Sequence, residues 1–469
     1  MRRLLIVGAG EAGRVIVHEF LASATMRAKY TIAGLVDDFQ KRAIRGIPVI
    51  GGIKDLGDLV ARNDIDEVLI AIPSSDRKVI DRILSSLSDS PVSVKIVPGL
   101  YEIVEGHFTL RQIRDFDVVD LLGREEIGFD KEQISPCFHD KVVFVTGAGG
   151  SIGAEICRQL LELPVKKVIA LGRGESSVYE LIQGLGVDQR VEYIIGDVRD
   201  YTKIDRELRR CAPHIVFHAA AHKHVSFMED HPDEALKNNV IGTFNCANIA
   251  LEAGVQRFVL VSTDKAVAPT SVMGATKRLA ESIVLSMASW GAGTRFSVTR
   301  FGNVLGSRGS VLPLFKRQIE AGGPVTVTHP EMTRYFMSIR EAARLVIKSS
   351  SAQSGSVFVL DMGQPIKILD LARNLIQLYG RTPNAVNIVF TGVRRGEKLN
   401  ERTFTDRETL EPSEFKRLFV ARNDEVLMSR GEVSRMIEQI KVAADALSPD
   451  ELRRLISRYV PDYVAGSSS

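Results

Sequence analysis

Two doubly wound α/β units in tandem, each on a parallel sheet, followed by a smaller α/β lobe, are what this sequence predicts. Three observations carry that expectation. Short apolar runs alternate with helical stretches at the intervals of βαβ units. The first run, residues 4–7, leads into Gly8-Ala9-Gly10-Glu11-Ala12-Gly13 and then into a helical stretch at 14–20. The same order restarts mid-chain, where the run at 141–145 leads into Thr146-Gly147-Ala148-Gly149-Gly150-Ser151-Ile152-Gly153 and a helix at 154–161.

In the first unit, residues 31–36, 68–72 and 92–97 supply further strands, and Asp37-Asp38 stands where a ribose-binding acid is expected. This unit is placed at 1–120. The stretch 121–139 reads as a linker, with Ser135-Pro136 as a breaker. The second unit continues with strands at 167–171, 191–195, 215–218, 258–261 and 296–299. Its cofactor part is placed mainly at 140–300, and the lobe at 301–345 and 365–460. Residues 461–469, ending in three serines, read as a tail.

The 469 residues are 45% hydrophobic and carry a net charge of +3, so bulk charge does not point to a nucleic-acid partner. Four cysteines lack any C-x-x-C pairing, which predicts free thiols in a reducing compartment. No apolar run reaches the ~18 residues of a membrane span, so a soluble, cytoplasmic chain is expected.

The glycines of the second turn let the backbone approach a pyrophosphate resting on the following helix N-terminus. Gly147, Gly150, Ser151, Ile152 and Gly153 are therefore candidate dinucleotide ligands. About 20 residues on, where an acid would select NAD, the sequence reads Leu171-Gly172-Arg173-Gly174-Glu175. Arg173 suits the 2′-phosphate of NADP, whereas Glu175 on the ribose would suit NAD; both remain open. Asp197 and Val198 end the third strand, where an acid faces an adenine or caps a helix. Ala219, Ala220 and Ala221 after His218 leave room for the nicotinamide half. His218, His222 and His224 lie four and two residues apart, but the alanine-rich loop accounts for them without a metal, and none is expected. Asn238-Asn239 is expected to open a helix beneath the site.

The apolar run at 256–261 ends in Ser262-Thr263-Asp264-Lys265. An acid and a base thus sit together at the strand end where open α/β sheets bind ligands. Met273 and Lys277 have the spacing of a dehydrogenase Tyr-x-x-x-Lys pair, with methionine in the tyrosine's place. A thioether has no proton to exchange with a hydroxyl, which leaves Thr263 as the nearest hydroxyl.

These segments, with Arg300-Phe301-Gly302-Asn303-Val304-Leu305-Gly306-Ser307-Arg308-Gly309-Ser310, together resemble the nucleotide-sugar 4,6-dehydratases of the extended short-chain dehydrogenase class. The resemblance is nearest to the large, methionine-bearing UDP-N-acetylglucosamine 4,6-dehydratases of polysaccharide biosynthesis. It extends to residues 97–101 and 120–124. It implies tightly held NAD or NADP, oxidation at C4, loss of water across C5 and C6, return of hydride to C6, and retention at C5. Asp264 is implied as the acid at O6 and Lys265 as the base at C5. Lysine works as a base only when uncharged, a form favoured by burial and nearby positive charge. Lys277 is implied at the nicotinamide ribose. Lys223, His224, Asn303, Arg308, Ser310, Val311, Arg334 and Glu397 are implied to hold the UDP-sugar. Homo-oligomers are usual in the superfamily. Membrane association would require a segment outside this chain. Rival readings are a C5-inverting dehydratase, a UDP-sugar 4-epimerase and a non-catalytic nucleotide-sugar sensor.

Overall fold

The computed structural model describes residues 1–72, 77–87, 90, 92–97, 114–115, 120, 131–291, 293–351, 355–379, 386–422 and 427–465. The segments 98–101 and 121–124, which carry part of the resemblance, and residues 466–469 of the expected tail lie outside the described residues. The chain forms two compact units, Met1–Glu126 with Val311–Glu331 and Lys367–Thr391, and Ile127–Ser310 with Met332–Ile366 and Gly392–Ser469.

The first unit is built on a six-stranded sheet in the order Val49–Gly51, Tyr30–Val36, Arg2–Val7, Glu67–Ile70, Ser93–Ile96 and Arg114–Asp115. The first five strands are parallel and the last is antiparallel. Leu4, Ile6, Ile16, Val17 and Leu69 lie in its core. The acids after the second strand turn inward on the backbone. Asp37 Oδ2 accepts from the Ala9 amide at 2.7 Å, and Oδ1 from Phe39 and Gln40, each at 2.8 Å. Asp38 accepts from the Ile53 amide at 2.8 Å and pairs with Arg82. Both carboxylates expected at a ribose are therefore engaged within the fold.

Residues 311–331 and 367–391, expected in the C-terminal lobe, cluster with this first unit. Helix Ile368–Leu378 buries Ile368, Leu371, Ala372, Leu375 and Ile376. Its Gln377 Nε2 donates to the Leu84 carbonyl at 2.5 Å, and its Asn374 Nδ2 to Asp81 at 3.2 Å.

The second unit has a nine-stranded sheet. Its order is Thr409–Pro412, Leu418–Arg422, Ser356–Leu360, Arg295–Arg300, Arg257–Val261, Ile215–His218, Val142–Thr146, Lys167–Gly172 and Val191–Ile195. The seven strands from Ser356–Leu360 onward are parallel, and the other two add on antiparallel. The central strands are buried on both faces, as a doubly wound sheet requires. Within the stretch expected as linker, Lys131–Phe138 is a helix with Pro136 inside it. An internal proline costs about 3 kcal/mol. Ile134 and Phe138, one turn apart and fully buried, offset that cost and anchor the helix. Among the described residues no helix is long and apolar enough to cross a membrane.

Candidate active site at the carboxyl ends of the second sheet

Three neighbouring parallel strands, Val142–Thr146, Ile215–His218 and Arg257–Val261, deliver the glycine turn, the alanine-rich loop and the acid–base pair to one edge. The glycine turn is cut to fit. Gly147 has φ +65°, and a Cβ there would lie 2.6 Å from the Ala220 amide nitrogen. A Cβ on Gly153 would lie 2.3 Å from the Gly147 carbonyl oxygen. Gly150 caps helix Ser151–Leu160 without a side-chain bond, so the helix's first amides remain available to an anion. The donor set and the space suit a dinucleotide pyrophosphate. Gly147→Ala is expected to lower unfolding free energy in urea by about 1–3 kcal/mol, because it strains the turn and crowds Ala220.

At the adjoining strand end, Asp197 is gripped by Arg199, at 2.8 Å, with Arg173 3.8 Å away. Burial pushes the Asp197 carboxyl up, but the Arg199 hydrogen bonds outweigh it and hold the group below the usual range. Glu175 begins helix Glu175–Leu185 and is exposed. Val198 is buried, and its carbonyl accepts from Asn245 Nδ2 at 3.1 Å.

His218 is fully buried between two threonines. Its Nδ1 lies 2.9 Å from Thr146 Oγ1 and its Nε2 3.0 Å from Thr243 Oγ1. Thr243 donates its own proton to the Asn239 carbonyl at 2.7 Å. Nε2 must therefore carry the ring proton, and Nδ1 accepts from Thr146. Burial, with Lys277 nearby, drops His218 to about 3. The unfolded chain takes up this proton near pH 6.5 and the folded chain near 3. The associated stability is complete above pH 6.5 and is lost as pH falls from there toward 3. A limiting slope of about 1.4 kcal/mol per pH unit is expected, and His218→Gln should flatten it in urea unfolding curves collected from about pH 7 to pH 5. Among the described residues no group of His, Cys, Asp and Glu could hold a metal.

Asn239 lies in a π-helical stretch, Leu236–Ile241, of the kind often found at functional sites. It joins the alanine loop to the methionine helix. Its Oδ1 accepts from the His222 amide at 2.8 Å, and its Nδ2 donates to the His222 carbonyl at 3.0 Å and to Thr276 Oγ1 at 3.2 Å.

Asp264 and Lys265 stand in contact on one turn. After strand Arg257–Val261, Asp264–Ala266 makes one 3₁₀ turn capped by Thr263. Lys265 Nζ stands 3.0 Å from Asp264 Oδ1 and 3.0 Å from Asn303 Oδ1. Thr263 Oγ1 donates to Asp264 Oδ1 at 2.9 Å. Asp264 is fully buried, yet its Oδ2 has no hydrogen-bond partner. An orphaned buried carboxylate oxygen is costly, and this one lies against Gly302, where an added Cβ would approach it to 3.1 Å.

Helix Val272–Ala288 brings Met273 and Lys277 behind this turn, both buried. It is pressed close: a Cβ on Gly274 would lie 2.2 Å from the Lys265 carbonyl oxygen. Lys277 Nζ donates to the Val261 carbonyl at 2.8 Å. Burial lowers Lys277 to about 8, against an opposing pull from Glu281. Beneath lies an ion network that the sequence does not reveal. Ser262 Oγ donates to Glu281 at 2.6 Å, and fully buried Arg300 bridges Glu281 at 2.7 Å and Glu408 at 2.8 Å.

The candidate substrate residues divide. Asn303 holds Lys265. Lys223 reaches Ser307 Oγ at 3.3 Å, and burial, with Lys265, lowers it. Burial, with Lys223, likewise lowers His224, whose ring lies 2.5 Å from a Cβ built on Gly309. Arg308 is turned to the glycine loop, donating to the Gly149 carbonyl at 3.1 Å and pairing with Glu180. Ser310 Oγ is buried without a hydrogen-bond partner. Arg334 is buried and donates to the Thr333 and Leu399 carbonyls at 2.7 and 3.0 Å. Glu397 meets the Arg394 amide at 3.4 Å. Val311 belongs to the other compact unit.

Residues 143–423 match the model of the polysaccharide biosynthesis protein family. The chain belongs to that family. Residues 1–98 match the model of a CoA-binding domain. Among similar proteins, the capsular polysaccharide biosynthesis protein CapD of Staphylococcus aureus is 43% identical over 463 residues, covering 97% of this chain and 76% of that protein. The probable polysaccharide biosynthesis protein EpsC of Bacillus subtilis is 47% identical over 414 residues, covering 87% and 69%. Of solved structures, that of Pen from Bacillus thuringiensis is 30% identical, with a TM-score of 0.57, and covers 66% of this chain and 99% of that one. The two-sheet fold and the family expected from the motifs are both met.

Proposed function

We propose that this chain is a nucleotide-sugar dehydratase that converts UDP-N-acetylglucosamine to its 4-keto-6-deoxy product with retention at C5. The observation that carries the reading is the contact between Asp264 and Lys265 at 3.0 Å, with Asp264 Oδ2 uncommitted. The Gly147–Gly153 turn would hold NAD or NADP, whose nicotinamide supplies the reversible oxidation of C4 that acidifies the C5 proton. Lys265 Nζ takes the C5 proton, and Asp264 gives a proton to O6, which departs as water. For retention, the proton returns to C5 from the same face. Thr263, already bonded to Asp264, passes on the C4 hydroxyl proton, because buried Met273 has none to exchange.

The test is to incubate the purified chain with UDP-N-acetylglucosamine in D2O and follow it by NMR. A 4-keto-6-deoxy sugar with C5 configuration unchanged is expected. Inversion at C5 or a C4 epimer that keeps its oxygen would replace this reading with one of its rivals, and an unchanged sugar with full cofactor content would favour a sensor.

A further inference from the structure

Arg308 has the side chain that suits a sugar diphosphate, yet its contacts lie at the cofactor turn. Its Nη1 donates to the Gly149 carbonyl at 3.1 Å, and its Nη2 pairs with Glu180 of helix Glu175–Leu185. Its own amide donates to Ser151 Oγ at 3.1 Å. Gly149 and Ser151 flank Gly150, which caps helix Ser151–Leu160 without a side-chain bond. The contacts of Arg308 therefore straddle the amides that suit a pyrophosphate. All of these residues belong to the second unit. Arg308 also closes a segment, 303–310, that is fixed at two earlier points. Asn303 Oδ1 accepts from Lys265 Nζ at 3.0 Å, and Ser307 Oγ from Lys223 Nζ at 3.3 Å. Within the segment the Ser310 amide donates to the Ser307 carbonyl at 3.0 Å, and Gly306 and Gly309 turn the chain at φ +70°. One short stretch thus runs from the acid–base turn, past the alanine loop, to the glycine turn.

We infer that Arg308 serves the dinucleotide rather than the UDP diphosphate, as a positioning residue that fastens segment 303–310 to the glycine turn and so slows escape of the cofactor. The inference rests on the glycine turn as the cofactor's seat and not on the sugar chemistry. Arginine suits the task because its planar fork reaches a carbonyl from one nitrogen and a carboxylate from another, where lysine offers a single point. Its permanent positive charge adds to the attraction for a pyrophosphate on the neighbouring amides. A reaction that takes a hydride from a sugar and returns it needs a cofactor that stays through the whole cycle, and a fastened segment meets that need.

The full-length chain and its Arg308→Ala variant are compared in two measurements that involve no turnover. In the first, protein loaded with NADH or NADPH is chased with an excess of the oxidised form, and release is followed by nicotinamide fluorescence. R308A is expected to release the cofactor about tenfold faster, the effect of a lost charged contact read in the off-rate. In the second, the dissociation constant for UDP is measured by calorimetry and is expected to be unchanged. Release at the original rate overturns the inference, and so does a fall in UDP affinity, which would return Arg308 to the sugar diphosphate. Absence of NADH and NADPH binding by the unaltered chain overturns it as well. Arg308 and Glu180 are both largely exposed on their side chains, so the truncation leaves the core untouched. Failure of the unaltered chain to dehydrate UDP-N-acetylglucosamine would remove the proposed reaction and leave the release result to decide on Arg308.

Discussion

Lys265→Ala is expected to abolish dehydration and, with it, exchange of the C5 proton for solvent deuterium. General acid–base groups contribute about 10²–10⁴ in rate, and here no second amine stands bonded to both Asp264 and Asn303 among the described contacts. The truncation removes the side chain beyond Cβ and leaves buried Asp264 without its ion-pair partner, so folding is checked alongside rate. Bound nucleotide released on denaturation should match the unaltered chain, which separates a lost base from a lost fold. NMR in D2O provides the measurement. Exchange at C5 continuing at the original rate would take Lys265 out of the reaction and assign the base at C5 to another group.

Arg300→Leu is expected to cost about 3–5 kcal/mol of folding free energy, the range for stripping one partner from a buried ion pair. Arg300 has no exposed surface and donates to two carboxylates. Its removal leaves Glu408 with only the Thr405 amide, at 2.7 Å, among the described contacts, and leaves Glu281 with Ser262 and the more exposed Arg278, 3.3 Å away. Two like charges would then share a cavity from which water is excluded. Burial alone pushes the Glu281 carboxyl up, and it is Arg300, ahead of Arg278 and Ser262, that brings it below the usual range. Urea unfolding at neutral pH is the check, and a loss below about 1 kcal/mol would show that the site relaxes or admits water. The rate should fall as well, since Ser262 immediately precedes Thr263 and is tethered to the network.

Much of this architecture is legible in the residues. Central strands such as Ile215–His218 and Val142–Thr146 read as apolar runs because both faces of a parallel sheet are covered. The glycine turns read because close approach leaves no room for a Cβ. The acid–base pair and Met273 read because they are local in the chain. What escapes the sequence is non-local. Strand Ser356–Leu360 holds a four-residue apolar run that periodicity cannot tell from a buried helix turn, and Leu418–Arg422 joins it from nearly sixty residues on, antiparallel, roughly where α/β alternation fades. Helix Lys131–Phe138 was hidden by its proline, whose local signal is overruled by two buried side chains. Glu281, Arg300, Glu408 and Glu401 look like ordinary surface charges until tertiary structure buries them. Arg308 shows the converse: its type suits a diphosphate, but its position sets it on the glycine loop.

The close seat of Gly274 on the Lys265 carbonyl has a consequence for how chemistry can diversify on this scaffold. With no slack between them, the methionine helix and the acid–base turn behave as one casting. A new side chain at position 273 cannot be absorbed by sliding the helix backward or forward; it must find its own rotamer in a fixed mould. On the proposed reading, exchange of that single residue would change the group standing beside Thr263 while the distances among Thr263, Asp264 and Lys265 stay put.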